Sequence, residues 1–139
     1  MILLVHLLLG ALIGQKILNP FLAIILAFLS HYFLDLIPHV EYNIKNIKKK
    51  QWQVAYPEFL KVFLDFISGV FLIYIFSSNH FAIYACAFFA ILPDGLSLFY
   101  RSNFHQEKIH FLKNKKISVA WRISSQVIAV IIFLILFKI

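Results

Sequence analysis

The sequence predicts an all-α fold, a polytopic membrane helix bundle of about five transmembrane helices arranged as two hairpins plus a C-terminal helix. Three observations predict it. Apolar residues make up 62% of the 139-residue chain and charged residues only 14%, against about 45–50% and about 25% in soluble domains. The apolar residues gather into five runs, separated by turn signals or by lysine-rich segments. No run alternates apolar with polar residues, and a backbone in lipid must satisfy its own hydrogen bonds, so the runs read as helices. At this length they make a single integral membrane domain over residues 1–139.

The first run covers residues 1–18 and ends at the turn signal Asn19-Pro20. It lacks a basic leading segment and an Ala-x-Ala cleavage site, so it reads as a retained span and not a signal peptide. The second run, 20–37, is stopped by Pro38, and a polar, lysine-rich segment leads on to Pro57. The third covers 58–77 and turns at Ser77-Ser78-Asn79. The fourth, 80–92, stops at Pro93-Asp94-Gly95 and is short for a bilayer crossing. After a second basic segment the fifth run covers 118–138. The single cysteine, Cys86, excludes an internal disulfide and a zinc–thiolate cluster and reads as a small packing residue.

The net charge of +7 is concentrated. Lys45, Lys48, Lys49 and Lys50 share one loop, and Arg101, Lys108, Lys113, Lys115 and Lys116 share the other, nine of the thirteen basic residues. These charges flank apolar spans instead of lining a domain of their own, which argues against nucleic-acid binding. The positive-inside rule places both loops on the cytoplasmic side of the cell membrane, with attraction to anionic lipid heads as a further effect. Trp52, Tyr56, Tyr100 and Trp121 fall beside these loops, where interfacial aromatics belong.

Ionisable side chains are costly in hydrocarbon, and those that occur there face a partner, a cavity or a metal. Six stand in or at the ends of the runs: His6, His31, Asp35, His39, Asp65 and Asp94. His6 lies 13 residues before Asn19 and His31 12 after it, so both sit about 18–20 Å from the same turn at 1.5 Å per residue. Asp65 lies 13 residues before Ser78 and Asp94 16 after it, about 20–24 Å away. The four should meet at one depth, near the basic loops. Helix phase agrees: His6 shares a face with Gly10 and Gly14, Asp65 with Ser68 and Gly69, and Asp94 with Ala90 and Ala87, stripes of small residues that suit helix–helix contact. Ser118, Arg122, Ser125 and Gln126 form a polar stripe on the last run.

His31-x-x-x-Asp35-x-x-x-His39 is the strongest local pattern. Two ligands at i,i+4 share a helix face, and the break at Pro38 can turn His39 inward as a third. Histidine and carboxylate are ligands for zinc, manganese and iron, zinc foremost here. Asp35 is either a ligand or an acceptor that orients a histidine; the plainer alternative is that His31 and Asp35 only hydrogen-bond to each other. Three histidines and three carboxylates suffice for one or two divalent ions, and paired metals are a device for hydrolysing phosphate esters. In that scheme Asp35 or Asp65 serves as general base and Arg122 holds the phosphate, unless Arg122 merely snorkels to the interface. His105 and His110 are further ligands or exposed loop residues, and His80 falls at the opposite turn. Phe33–His39 can be laid over Phe88–Asp94 with Pro38 on Pro93, a faint sign of related hairpins.

Val5-His6 followed by Gly10, the stretch from Ser30-His31 through Asp35 to Pro38-His39, and Leu92-Pro93-Asp94 together resemble the small membrane-bound metal-dependent hydrolases of bacteria. The resemblance covers motifs in the first hundred residues, and the family's His-Arg-Gly-x-Thr-His-Ser segment is absent. It implies a metal-dependent hydrolase. The depth of the cluster, just below the headgroups, makes a membrane lipid phosphate or phosphodiester the expected substrate. A non-enzymatic protein that binds or moves an ion or proton through the same cluster is the alternative, and a homo-oligomer is open to either.

Overall fold

The computed structural model describes residues 2–40, 43–49, 51–99 and 118–139. All regular structure among them is helical: α1 (Leu3–Lys16), α2 (Pro20–Asp35), the single turn α3 (Lys45–Lys48), α4 (Trp52–Phe76), α5 (Phe81–Phe99) and α6 (Val119–Leu136). Local chemistry sets several boundaries. Asn19 caps α2, its side-chain oxygen accepting the N–H groups of Phe21 and Leu22, with Pro20 at the first helical position. Ser118 caps α6 in the same way through the Trp121 N–H. Between α4 and α5, Asn79 takes the left-handed conformation (φ 56°) that asparagine tolerates. Its amide donates to the Tyr74 carbonyl and its oxygen accepts from the Tyr84 hydroxyl.

Two helices exceed the runs read from the sequence, and for one reason. Pro57 and Pro93, taken above as boundaries, lie inside α4 and α5, so α4 starts at Trp52 and α5 continues to Phe99. A proline removes one intrahelical hydrogen bond and bends the helix, and in an apolar bundle neighbouring groups re-satisfy what it frees.

α1 is the hub. It packs against α2, α4, α5 and α6, and α5 also packs along α2. The second expected hairpin is therefore splayed: α4 and α5 pack against α1 in preference to each other. Small residues make the room. A Cβ on Gly10 would come within 2.6 Å of the Ala90 Cβ and 2.7 Å of the Cys86 carbonyl oxygen, and one on Gly14 within 3.0 Å of Ala82, Ile83 and Cys86. On α4, a Cβ on Gly69 would stand 2.6 Å from Leu7. Leu7, Leu8, Ala11, Leu12, Ile73, Ile83, Ala87 and Phe137 form the main apolar core around α1.

Polarity is inverted relative to a water-soluble domain. His6, His31, His39 and Gln126 are buried, while Phe21, Phe33, Phe59, Phe63, Phe71, Ile128 and Ile131 are exposed. Trp52–Phe76 and Val119–Leu136 are long and apolar enough to cross a membrane, and only 11% and 6% of their most apolar stretches are buried, where a soluble core helix would be mostly buried. α1, α2 and Phe81–Leu96 of α5 are shorter apolar helices.

After Asp35 the chain leaves helical geometry and crosses two other elements. Ser125 and Gln126 of α6 reach the Pro38 and Val40 carbonyls. Farther on, Glu58 of α4 accepts the Asn46 and Ile47 backbone N–H groups and the Asn46 side-chain amide. These contacts hold the connecting segment against the same end of the bundle that carries His6 and Asp94.

Candidate metal centre

Asp35, at the last position of α2, is the middle of a histidine–carboxylate cluster. Its Oδ1 lies 3.4 Å from His6 Nε2 and 4.0 Å from His39 Nε2, and its Oδ2 lies 3.3 Å from His31 Nε2. His31 Nε2 is also 3.7 Å from Asp94 Oδ1. Three elements bring these groups together: the second turn of α1, the end of α2 with the segment after it, and the part of α5 just beyond Pro93. His6, His31 and Asp94 offer ligand atoms all within 4.8 Å of one another and could hold a metal ion.

The backbone fixes how the imidazoles present themselves. His31 Nδ1 lies 3.0 Å from the Ala90 carbonyl and His39 Nδ1 lies 2.6 Å from the Ile37 carbonyl. A carbonyl only accepts, so both Nδ1 atoms carry the proton and donate. In the neutral ring Nε2 then holds a lone pair, and on His31 that lone pair faces two carboxylate oxygens. Acceptor against acceptor is repulsive unless a positive charge lies between them. A proton on His31 supplies one; a metal ion supplies another. His6 favours the metal. Its ring stacks on that of His31 with centroids 4.3 Å apart and planes 26° from parallel, and two imidazolium charges about 4 Å apart repel by about 4 kcal/mol at an effective dielectric constant of 20. Both ring nitrogens of His6 are buried without a hydrogen-bond partner, which suits a ligand better than a cation needing acceptors.

The separations fit an ion as well. Two ligand atoms about 2.0–2.1 Å from a tetrahedral zinc stand about 3.3 Å apart, close to the 3.3 and 3.4 Å of the His31–Asp35 and His6–Asp35 pairs. Ionised, Asp35 and Asp94 together carry two negative charges, which one divalent cation balances. Hydrogen bonds from ligand histidines to backbone carbonyls are the usual orienting arrangement around a metal.

Of the six residues read as ligands, five gather here and Asp65 does not. Asp65 has a different partner: its Oδ2 accepts the Leu4 N–H at 2.9 Å, capping α1 from a neighbouring helix. A carboxylate at a helix N-terminus is favourable, and spacing along α4 gave no means of telling this use from ligation. Asp65→Asn is therefore expected to lower stability by about 0.5–2 kcal/mol, the range for loss of a cap, and to leave metal content unchanged. Thermal unfolding with elemental analysis checks this, and loss of metal returns Asp65 to the ligand set.

Arg122, read as a phosphate holder, is half-buried in the first turn of α6, and its guanidinium makes no ion pair or hydrogen bond among the described residues. His80 is exposed at the opposite turn, as expected. His105 and His110 lie outside the described residues. The Ala90 carbonyl was missed by reading side chains alone, and nothing in the side-chain pattern signals it. Neither a family model, a curated protein nor a solved structure matches the chain.

Proposed function

We propose that the chain is a membrane-embedded, metal-dependent hydrolase, a phosphatase or phosphodiesterase acting on a lipid phosphate at the leaflet beside its basic loops. One divalent ion, zinc foremost, is held by His6, His31 and Asp94 with Asp35 between them. The observation that carries this reading is the His31 ring, whose proton is committed to the Ala90 carbonyl while its other nitrogen faces Asp35 and Asp94. A divalent ion held there would supply polarisation of a phosphoryl oxygen and a lowered pKa for a bound water molecule.

The chain's own residues divide the remaining work. Asp35 lies against three imidazole Nε2 atoms and serves as a further ligand or takes up a proton. Arg122, with no partner among the described residues, provides a planar fork for phosphate. The inverted polarity supports membrane residence with all five longer helices embedded, and the basic loops support a cytoplasmic orientation. Lipid is the favoured substrate because exposed Phe33, Leu36, Phe88 and Leu96 surround the level of Asp35 and Asp94.

An ion or proton path is the weaker reading. Between the cluster and Gln15, at the far end of α1, the interior is Leu7, Leu8, Ala11, Leu12, Ile73 and Ile83, with no polar relay among them. The test is elemental analysis of the purified chain alongside phosphate release from phosphatidic acid in mixed micelles. The expected result is about one transition-metal ion per chain and a release that chelator abolishes and added metal restores. Metal-free protein, or release indifferent to chelator, overturns the proposal.

A further inference from the structure

His39 poses a positioning problem. Its spacing from Asp35 is that of neighbours on one helix face, yet α2 ends at Asp35. Helical geometry therefore does not place the ring, which is nevertheless buried with Nε2 turned toward Asp35. The segment around it belongs to no helix, so its carbonyls need partners from elsewhere.

Two of those partners come from α6. Gln126, buried on a helix whose other faces are mostly valine, isoleucine and phenylalanine, donates its amide Nε2–H to the Val40 carbonyl at 2.9 Å. Ser125 Oγ lies 2.9 Å from the Pro38 carbonyl and equally far from the Arg122 carbonyl of its own helix. The two carbonyls reached are those immediately before and after His39. We infer that Gln126 and Ser125 are positioning residues that fix the backbone on both sides of His39 and so present its Nε2 as a further metal ligand, closing the site on the α6 side. This rests on the metal reading above. It also gives a reason for this polar pair on a mainly apolar helix, where an unpartnered amide is costly.

The test uses the full chain in detergent, with zinc affinity measured by chelator competition and the visible spectrum of the cobalt-loaded protein as second readout. Gln126→Leu is expected to weaken zinc binding about 10–100-fold, the usual effect of removing a group that orients a ligand. It should also shift the cobalt spectrum toward that of His39→Ala. The double variant should bind no more weakly than His39→Ala alone, because both changes remove one ligand. Ser125→Thr, which keeps the hydroxyl, should retain affinity that Ser125→Ala loses, and this pair decides the matter if Gln126→Leu does not fold. Wild-type affinity in both Gln126→Leu and Ser125→Ala, or losses that add in the double variant, overturns this inference alone. Wild-type protein that binds no metal overturns the metal reading and this inference with it.

Discussion

His31→Ala is expected to release the metal, weakening its binding by more than about 100-fold, since losing a ligand exceeds the 10–100-fold cost of losing a group that merely orients one. Two effects combine. The Nε2 that faces both Asp35 and Asp94 disappears, leaving two carboxylates with less positive charge between them. The Ala90 carbonyl loses the Nδ1–H it accepts, one buried hydrogen bond, which contributes about 0.5–1.5 kcal/mol. Metal content and thermal unfolding should therefore fall together. His80→Ala, at the opposite turn, should change neither. Full metal retention in His31→Ala would remove the central ligand of the proposed site.

Gly10→Val is expected to cause the largest loss of stability among changes remote from the ligands. An added Cβ alone would approach the Ala90 Cβ to 2.6 Å, the Cys86 carbonyl oxygen to 2.7 Å and the Ala87 Cα to 3.0 Å. Two of those atoms are backbone, so no rotamer change relieves the clash and α1 must move away from α5. Overpacking usually costs about 1–3 kcal/mol, and a helix shift puts this case at about 3 kcal/mol or above. Because His6 rides on α1 one turn before Gly10, and Asp94 on α5 one turn after Ala90, the same shift pulls metal ligands apart. Unfolding temperature and zinc affinity should both drop. Gly95→Ala, where a Cβ meets nothing within 4 Å, is the comparison that should show neither loss. An unchanged melting point in Gly10→Val would mean that the two helices do not pack this closely.

The parts of this arrangement legible in the sequence are those that depend on local rules. Turn and capping residues such as Asn19-Pro20 mark helix ends through their own side chains, and Gly10 with Gly14 announces a close helix contact by spacing alone. Counting residues from a turn brings His6 and His31 to one level because a helix rises by a fixed amount. The same count put Asp65 level with His6, His31 and Asp94, yet could not say that it would meet the Leu4 backbone N–H and not an imidazole. That outcome depends on the rotation of α4 about its axis and on how far α1 extends. Prolines misled in a consistent way: Pro57 and Pro93 look like stops locally, whereas tertiary neighbours let α4 and α5 run through them. Partner choice was also hidden. Adjacency in sequence suggested that α4 and α5 would pair, but Gly10 and Gly14 fit α1 against α5 and Gly69 fits α4 against α1, and shape decides that at a distance.

The splaying of α4 and α5 around α1 has a consequence for the order of assembly. α1 receives its most intimate partner, α5, about eighty residues after it in the chain. Until α5 arrives, the glycine face of α1 has nothing to close against, His31 has no Ala90 carbonyl to orient it, and no carboxylate from α5 is present to complete an ion's surroundings. An ion bound at the proposed site would therefore close it only once α5 is in place, as a late clasp between α1 and α5.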